Sequence, residues 1–367
     1  MNRRNWLKIS ALLTASAYTG TAYAMQTGCY QPLSDLPDGF LRLGSNENPY
    51  GTSAKTMAAM QSALKESNRY PNFDLLTQKI AAYHQVAMEQ VCITAGSSEA
   101  LALAAIAFAR DKSQNIVTAK PTFNVFPDIA ERLGAKRIDV PLTADKVIDL
   151  NKMAAAVTED TAAIYVCNPN NPTGTKLETD ALHSFVRELS KRTKVIVDEV
   201  YHDFIDDPSL IPMAATNPNV VIIRSFSKVY GLAGMRIGYA IAHADTVKKM
   251  AAMVSRPGIN ISQAGQAAAV AALEDQDFVK MSVSKNKESQ QVLYNYLKEA
   301  NIRYIPSYAN LVYFSLEGFA KTYVKDMQAR KVIVREVDDY GQRWCRVSMG
   351  TPDEMRQFVD ILKTMRG

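Results

Sequence analysis

The sequence predicts an α/β fold, with a mainly parallel sheet sandwiched by helices and joined to a smaller α+β domain at the C-terminal end. Two observations carry this. Strand-length runs that are apolar at nearly every position alternate with helix-length stretches over the first two-thirds of the chain, and such runs belong to strands buried on both faces. Beyond Arg256-Pro257-Gly258 the rhythm changes to long helices followed by short strands. At 367 residues the chain can bury two cores, and 47% hydrophobic with 22% charged residues is ordinary for a globular enzyme.

The N-terminus is expected to lie outside the fold. Residues 1–24 read as an export signal of the twin-arginine type. Arg3-Arg4 stand in a charged start, an uncharged stretch runs from Ile9 to Ala24, and Ala22-Tyr23-Ala24 suits cleavage. The stretch is shorter than the roughly 20 apolar residues of a membrane span. The expectation is therefore a periplasmic protein with no stable membrane anchor after cleavage. The alternative is initiation at Met25 and a cytoplasmic protein. Residues 25–52, rich in Pro, Gly and Asn, read as an extended arm that packs with the smaller domain.

The large domain is assigned to residues 53–255. Its strands are expected at Val91–Thr94, Ile116–Thr118, Ala162–Cys167, Val195–Val197, Val220–Ile223 and Ile237–Ala242, with helices that include Glu99–Ala109 and Leu177–Lys191. The small domain is assigned to 256–367. Long helices cover roughly 262–300, short strands follow at Leu311–Ser315, Val332–Val334 and Trp344–Ser348, and a last helix runs over 352–365.

A formal net charge of +5 without a Lys/Arg-rich block gives nucleic-acid binding no support. The four histidines are scattered and lack metal-ligand spacing. Cys92, Cys167 and Cys345, each in or beside a strand-like run, read as reduced core residues. Cys29 has no assigned role. Neither a G-x-G-x-x-G after a first strand nor a P-loop occurs, which argues against a nucleotide-dependent oxidoreductase or kinase.

Ligands of open α/β sheets gather at the carboxyl ends of the strands, and several chemistry-bearing motifs stand there. Thr94-Ala95-Gly96-Ser97-Ser98-Glu99 joins a strand to a helix, a geometry that binds phosphate but also makes an ordinary helix cap. Asn168-Pro169-Asn170-Asn171-Pro172-Thr173-Gly174 makes a turn after the next-but-one strand. Asp198, ending Val195-Ile196-Val197, is a carboxylate that must be paired, solvated or protonated. Arg224-Ser225-Phe226-Ser227-Lys228 then sets two hydroxyls beside a lysine, with Arg236 following.

Together and in this order, the motifs resemble those of the class I/II aminotransferases of the aspartate-aminotransferase-like fold type I, and in particular their histidinol-phosphate aminotransferase branch. Leu43-Gly44-Ser45-Asn46-Glu47-Asn48-Pro49-Tyr50-Gly51 and Arg69-Tyr70-Pro71 look like two further signatures of that branch. The resemblance runs from about residue 41 to the C-terminus. It implies pyridoxal 5'-phosphate as cofactor, held by Lys228 as a Schiff base, with Asp198 facing the pyridine nitrogen. It also implies that Asn171 and Tyr201 bond the ring oxygen and that Phe123 stacks on the ring, where many relatives have Tyr. By the same resemblance Ser97, Ser98, Ser225, Ser227 and Arg236 hold the phosphate. Tyr70 would reach the cofactor of a neighbouring subunit, hence a homodimer. Arg346 would clamp the substrate carboxylate, while Arg335 is either a ligand for a distal anionic group or a solvated surface arginine.

The expected reaction moves an amino group between an amino acid, or a histidinol-phosphate-like amine, and a 2-oxo acid. A decarboxylase or lyase similar to the threonine-phosphate decarboxylases would share the cofactor motifs, and a non-catalytic pyridoxal-phosphate-binding module is an alternative of another class. Export would suit an enzyme that folds around a cytosolic cofactor first. It fits poorly with histidine biosynthesis.

Overall fold

Runs apolar at every position do form strands, and strand pairing gathers them into one sheet. The seven strands are β2 (Val91–Thr94), β3 (Asn115–Lys120), β4 (Lys136–Pro141), β5 (Thr161–Cys167), β6 (Lys194–Asp198), β7 (Val220–Ser225) and β8 (Gly238–Ala242). Their order is β2-β8-β7-β6-β5-β3-β4, and β8 alone runs against its neighbours. All of β7 and β8 is buried. Alternate side chains enter two cores. Ile164, Val166, Val195, Val197 and Ile222 face one with the helices Asp74–His84, Thr179–Leu189 and Gln263–Leu273. Ala163, Tyr165, Ile196 and Ile223 face the other with the helices Ser97–Phe108, Val125–Arg132 and Ala244–Ala251. The sheet is thus mainly parallel and covered on both faces, as the sequence predicts.

β4, Lys-Arg-Ile-Asp-Val-Pro, is an edge strand that the apolar criterion passes over. An edge strand carries charge because one of its sides meets water. The expected helical region beyond 262 forms two helices, Gln263–Leu273 and Gln276–Glu299. Ala268, Ala269, Ala272 and Leu273 of the first pack in a core of the seven-stranded sheet.

A second sheet has the antiparallel order β12-β13-β10-β9, with β9 Tyr304–Ile305, β10 Leu311–Ser315, β12 Arg335–Asp339 and β13 Gln342–Ser348. One face, with Val312, Phe314, Cys345 and Val347, packs on the helices Gln276–Glu299, Tyr323–Ala329 and Pro352–Met365. The opposite face carries Tyr313 and Trp344, stacked at 4.7 Å, and by strand alternation also Arg346 and Ser348. A short parallel pair joins β1 (Leu41–Arg42) to β11 (Val332–Ile333).

The structure, a computed structural model, describes residues 39–367 except 73, 110, 112, 255–257 and 366–367. The elements above belong to one compact unit, Leu41–Gly367. The export signal, Cys29, the first half of the arm (25–38) and Arg256-Pro257 lie outside the described residues. Among the described residues no helix is long and apolar enough to cross a membrane. Cys92, Cys167 and Cys345 are buried free thiols.

Candidate active site

The carboxyl ends of β5, β6 and β7 meet because these strands are parallel neighbours, in register from Cys167 to Asp198 and from Asp198 to Ile223. Asp198, 1% exposed, ends β6. Its Oδ2 accepts from the Tyr165 hydroxyl at 2.9 Å and its Oδ1 from the Val200 N–H at 3.1 Å. Burial pushes its pKa up to about 6, while the two hydrogen bonds and the Lys228 charge oppose the rise.

Tyr201 follows on the same turn. Its hydroxyl oxygen accepts from Asn46 Nδ2 at 2.8 Å and from Asn171 Nδ2 at 3.2 Å, and burial pushes the phenol pKa up. Asn171 stands on the turn after β5, and its Oδ1 accepts from Arg346 Nη1 at 3.0 Å. Phe123 lies on the loop after β3, packed against the core that holds Tyr165 and Cys167.

Lys228 sits beyond β7. Its Nζ is 5.6 Å from the Tyr201 ring centroid and donates to the Ser45 carbonyl at 3.3 Å. Burial, followed by the Arg346 charge, lowers its pKa to about 8, against the pull of Glu47 and Asp198. An amine so placed is partly neutral near neutral pH.

The strand order also brings the β2–helix turn against the segment after Lys228. Gly96, at φ +83°, opens the helix Ser97–Phe108, and the Arg236 guanidinium covers it so closely that a Cβ there would stand 2.5 Å from Nη2. A Cβ on Gly238 would lie 2.4 Å from the Ser97 nitrogen. Ser225 and Ser227 are buried, and the Ser227 N–H donates to Ser225 Oγ at 3.1 Å. Helix N–H groups, hydroxyls and a guanidinium thus converge, a combination suited to a phosphate.

Arg335 and Arg346 lie on the second sheet and reach this region through Gly44, whose carbonyl accepts from both. Tyr70 is not gathered with the rest; it is 83% exposed. The structure adds residues to which the motifs gave no role. Asn46, 1% exposed and at φ +54°, bonds Tyr201 and exchanges hydrogen bonds with Ser348. Ser45 and Gly44 offer their carbonyls to Lys228 and the arginines. Tyr165 reaches Asp198 from inside an apolar strand, where only the hydroxyl distinguishes it from a core aromatic.

The class I and II aminotransferase family model matches residues 38–362. The chain belongs to that family. It is a pyridoxal-phosphate-dependent aminotransferase. It is 34% identical over 333 residues to histidinol-phosphate aminotransferase 1 of Idiomarina loihiensis, covering 89% of this chain and 90% of that one. Among solved structures, the putative histidinol-phosphate aminotransferase of Erwinia carotovora atroseptica matches with a TM-score of 0.85 at 33% identity, covering 90% of this chain and 96% of its own. The histidinol-phosphate aminotransferase of Sinorhizobium meliloti, solved with pyridoxal-5'-phosphate, shares the fold at a TM-score of 0.81 and 24% identity, with 91% and 98% covered.

The residues present fit that cofactor. Ser45 Oγ and Arg346 Nε are buried without a hydrogen-bond partner, and a side chain at 96 would push the Arg236 guanidinium out of the cradle.

Proposed function

We propose that this aminotransferase moves an amino group between an amino acid, or a histidinol-phosphate-like amine, and a 2-oxo acid, at the site built around Lys228, Asp198 and Arg346. The observation that carries the reading is the gathering of the Lys228 amine, the buried Asp198 carboxylate and the half-buried Arg346 around Tyr201 and Asn171 at the carboxyl ends of β5, β6 and β7. When bound, the cofactor supplies an aldehyde for the amino group and a ring that draws electrons from the carbon next to it.

The chain supplies the rest. Asp198 would keep a proton on the ring nitrogen, and Asn171 and Tyr201 would bond the ring oxygen. Phe123 would cover one face. Ser97, Ser98, Ser225, Ser227 and Arg236 would hold the phosphate. Lys228 would anchor the cofactor and then carry a proton on its Nζ to and from the substrate Cα. Arg346 would fork onto the substrate carboxylate, with Arg335 receiving a second anionic group.

Dimerisation is part of this reading. Tyr70, Leu64 and Leu75 are 83, 59 and 52% exposed, and such apolar exposure is suited to a partner subunit whose cofactor Tyr70 would touch. The arm at 25–52, a large domain at 53–255 and a small domain at 256–367 belong to the same reading, as does export to the periplasm, which rests on Arg3-Arg4 and the stretch to Ala24. An exported enzyme would seldom meet a cytoplasmic histidine precursor, so the physiological amine is expected to differ from histidinol phosphate.

The test is the visible spectrum of the mature protein with pyridoxal phosphate, before and after L-glutamate, histidinol phosphate and single amino acids. A band that a donor bleaches and a 2-oxo acid restores identifies the donor. Release of carbon dioxide without that reversal would replace transamination by decarboxylation.

A further inference from the structure

We propose that Tyr165 is a positioning residue for the reaction, its hydroxyl holding Asp198 in the ionised form so that the cofactor's ring nitrogen carries the proton. The inference rests on the reading of Asp198 as that nitrogen's partner.

The geometry begins with register. Cys167 is paired with Asp198 and Tyr165 with Ile196 on the parallel strands β5 and β6. Tyr165 therefore lies two residues short of Asp198 along the strands, about 6–7 Å at the usual rise. A tyrosine side chain spans that distance, and the hydroxyl ends 2.9 Å from Asp198 Oδ2. The ring is fully buried and packs nearly parallel to Phe126, with centroids 5.5 Å apart and an interplanar angle of 15°. A phenylalanine would fill the same apolar space. The hydroxyl adds only its polar contacts, the hydrogen bond to Asp198 and the neighbouring Cys167 thiol.

The direction of the bond is settled by acidity. Burial, and then the Asp198 charge, hold the Tyr165 phenol well above its usual range, so it donates and the carboxylate accepts. Val200 N–H occupies the other oxygen. Among the described residues, the other titratable and charged groups that face Asp198 are Cys167 on β5, Glu199 and Tyr201 beyond β6, and Lys228 beyond β7.

A buried carboxylate and a pyridine nitrogen compete for one proton. Apolar surroundings favour the neutral pair, with the proton on oxygen. Hydrogen bonds donated to the carboxylate favour the ionised pair, with the proton on nitrogen. A ring withdraws electrons well only in the second arrangement. Burial alone would move Asp198 towards the first, and Tyr165 opposes it at the oxygen nearest its ring.

The test uses two variants of opposite sign. Tyr165→Phe removes the donor, while 3-fluorotyrosine at 165 is a stronger acid and a stronger donor. In the apoenzyme, the infrared carbonyl band of protonated Asp198, assigned by its loss in Asp198→Asn, is followed against pH. Tyr165→Phe should raise the midpoint by about one pH unit or more, and fluorotyrosine should lower it. In the enzyme loaded with pyridoxal phosphate, Tyr165→Phe should weaken cofactor binding about tenfold and move the pH midpoint of the visible band.

Unchanged apoenzyme midpoints in both variants would overturn the proposal. A shifted midpoint with unchanged cofactor affinity and visible titration would overturn the link to the ring nitrogen. Asp198→Asn separates the two failures. If it still loses affinity, only the role of Tyr165 is wrong; if it does not, the reading of Asp198 falls as well. Should Tyr165→Phe not fold, the fluorotyrosine shift decides by its sign.

Discussion

Arg335 and Arg346 stand directly opposite one another on the antiparallel strands β12 and β13, and both donate to a single acceptor, the carbonyl oxygen of Gly44. Like charges at a cross-strand pair repel. Here the shared oxygen takes an N–H from Arg346 Nη2 and Asn171 Oδ1 one from Nη1, while Nε has no partner. Burial is the main cause that lowers the Arg346 pKa to about 10; Tyr201 opposes it and the Arg335 charge adds to it. A neutral carbonyl satisfies such a pair less well than an anion, and the proposed function has the two arginines exchange Gly44 for anionic substrate groups.

The exchange predicts different roles for the two. Arg346→Lys should lower kcat/KM for L-glutamate by about 10- to 100-fold, since a charged hydrogen-bond partner is worth about 1.5–3 kcal/mol. Arg335→Gln should lower it only for amines with a second anionic group. Steady-state kinetics with glutamate and with alanine check this, and an equal loss for both donors in Arg335→Gln would remove Arg335 from the site.

Lys228 should show its lowered pKa chemically. Protonated amines do not acylate, so the rate of Lys228 acetylation in the apoenzyme should rise with pH and level off above about 8, well before an ordinary lysine. Competitive labelling read by mass spectrometry gives the midpoint. Lys228→Ala should leave no cofactor attached after borohydride reduction and no measurable turnover. A midpoint near that of exposed lysines would contradict the burial of the amine.

Gly96→Ala should damage cofactor binding more than folding. A side chain at φ +83° and ψ 165° is strained by about 1–3 kcal/mol. The added Cβ also displaces the Arg236 guanidinium. Expected is at least a tenfold weaker affinity for pyridoxal phosphate by fluorescence titration, with a change in Tm of only a few degrees. Undiminished affinity would show that the cradle does not hold the phosphate.

Lys146 and Asp339 tie a loop of the large sheet to the end of β12. Their side chains are 11 and 3% exposed, and Lys146 Nζ also lies 5.1 Å from the Trp344 ring centroid. Asp339→Ala alone strands a buried ammonium and should cost about 3–5 kcal/mol in urea unfolding. Lys146→Met with Asp339→Leu should recover most of that loss. If the double variant is no better than the single, the pair is not the source of the stability.

The site was legible where its residues advertise themselves locally. Asp198 and Lys228 interrupt or follow apolar runs, and a charge at the end of a buried strand needs a reason. The Gly96–Ser97–Ser98 turn was visible as a phosphate site or a simple cap, and only the approach of Arg236 and Gly238 gives it the form of a cradle. Tyr165 left no such trace, and Asn46 stood inside a signature segment without a role of its own. One is an aromatic in an apolar strand, the other an asparagine in a turn-rich arm, and both residue types are common in those settings.

The sequence by itself determined the strands buried on both faces, the helices between them and the order of the chemical motifs, because burial and turn formation act over a few residues and leave a periodic pattern. The tertiary structure alone decided that β8 runs antiparallel and that the charged strand β4 closes an edge. It also decided that Gly44 meets arginines 291 and 302 positions away. Those contacts depend on strand order and chain crossings, which join segments distant in sequence and so leave no mark on local periodicity.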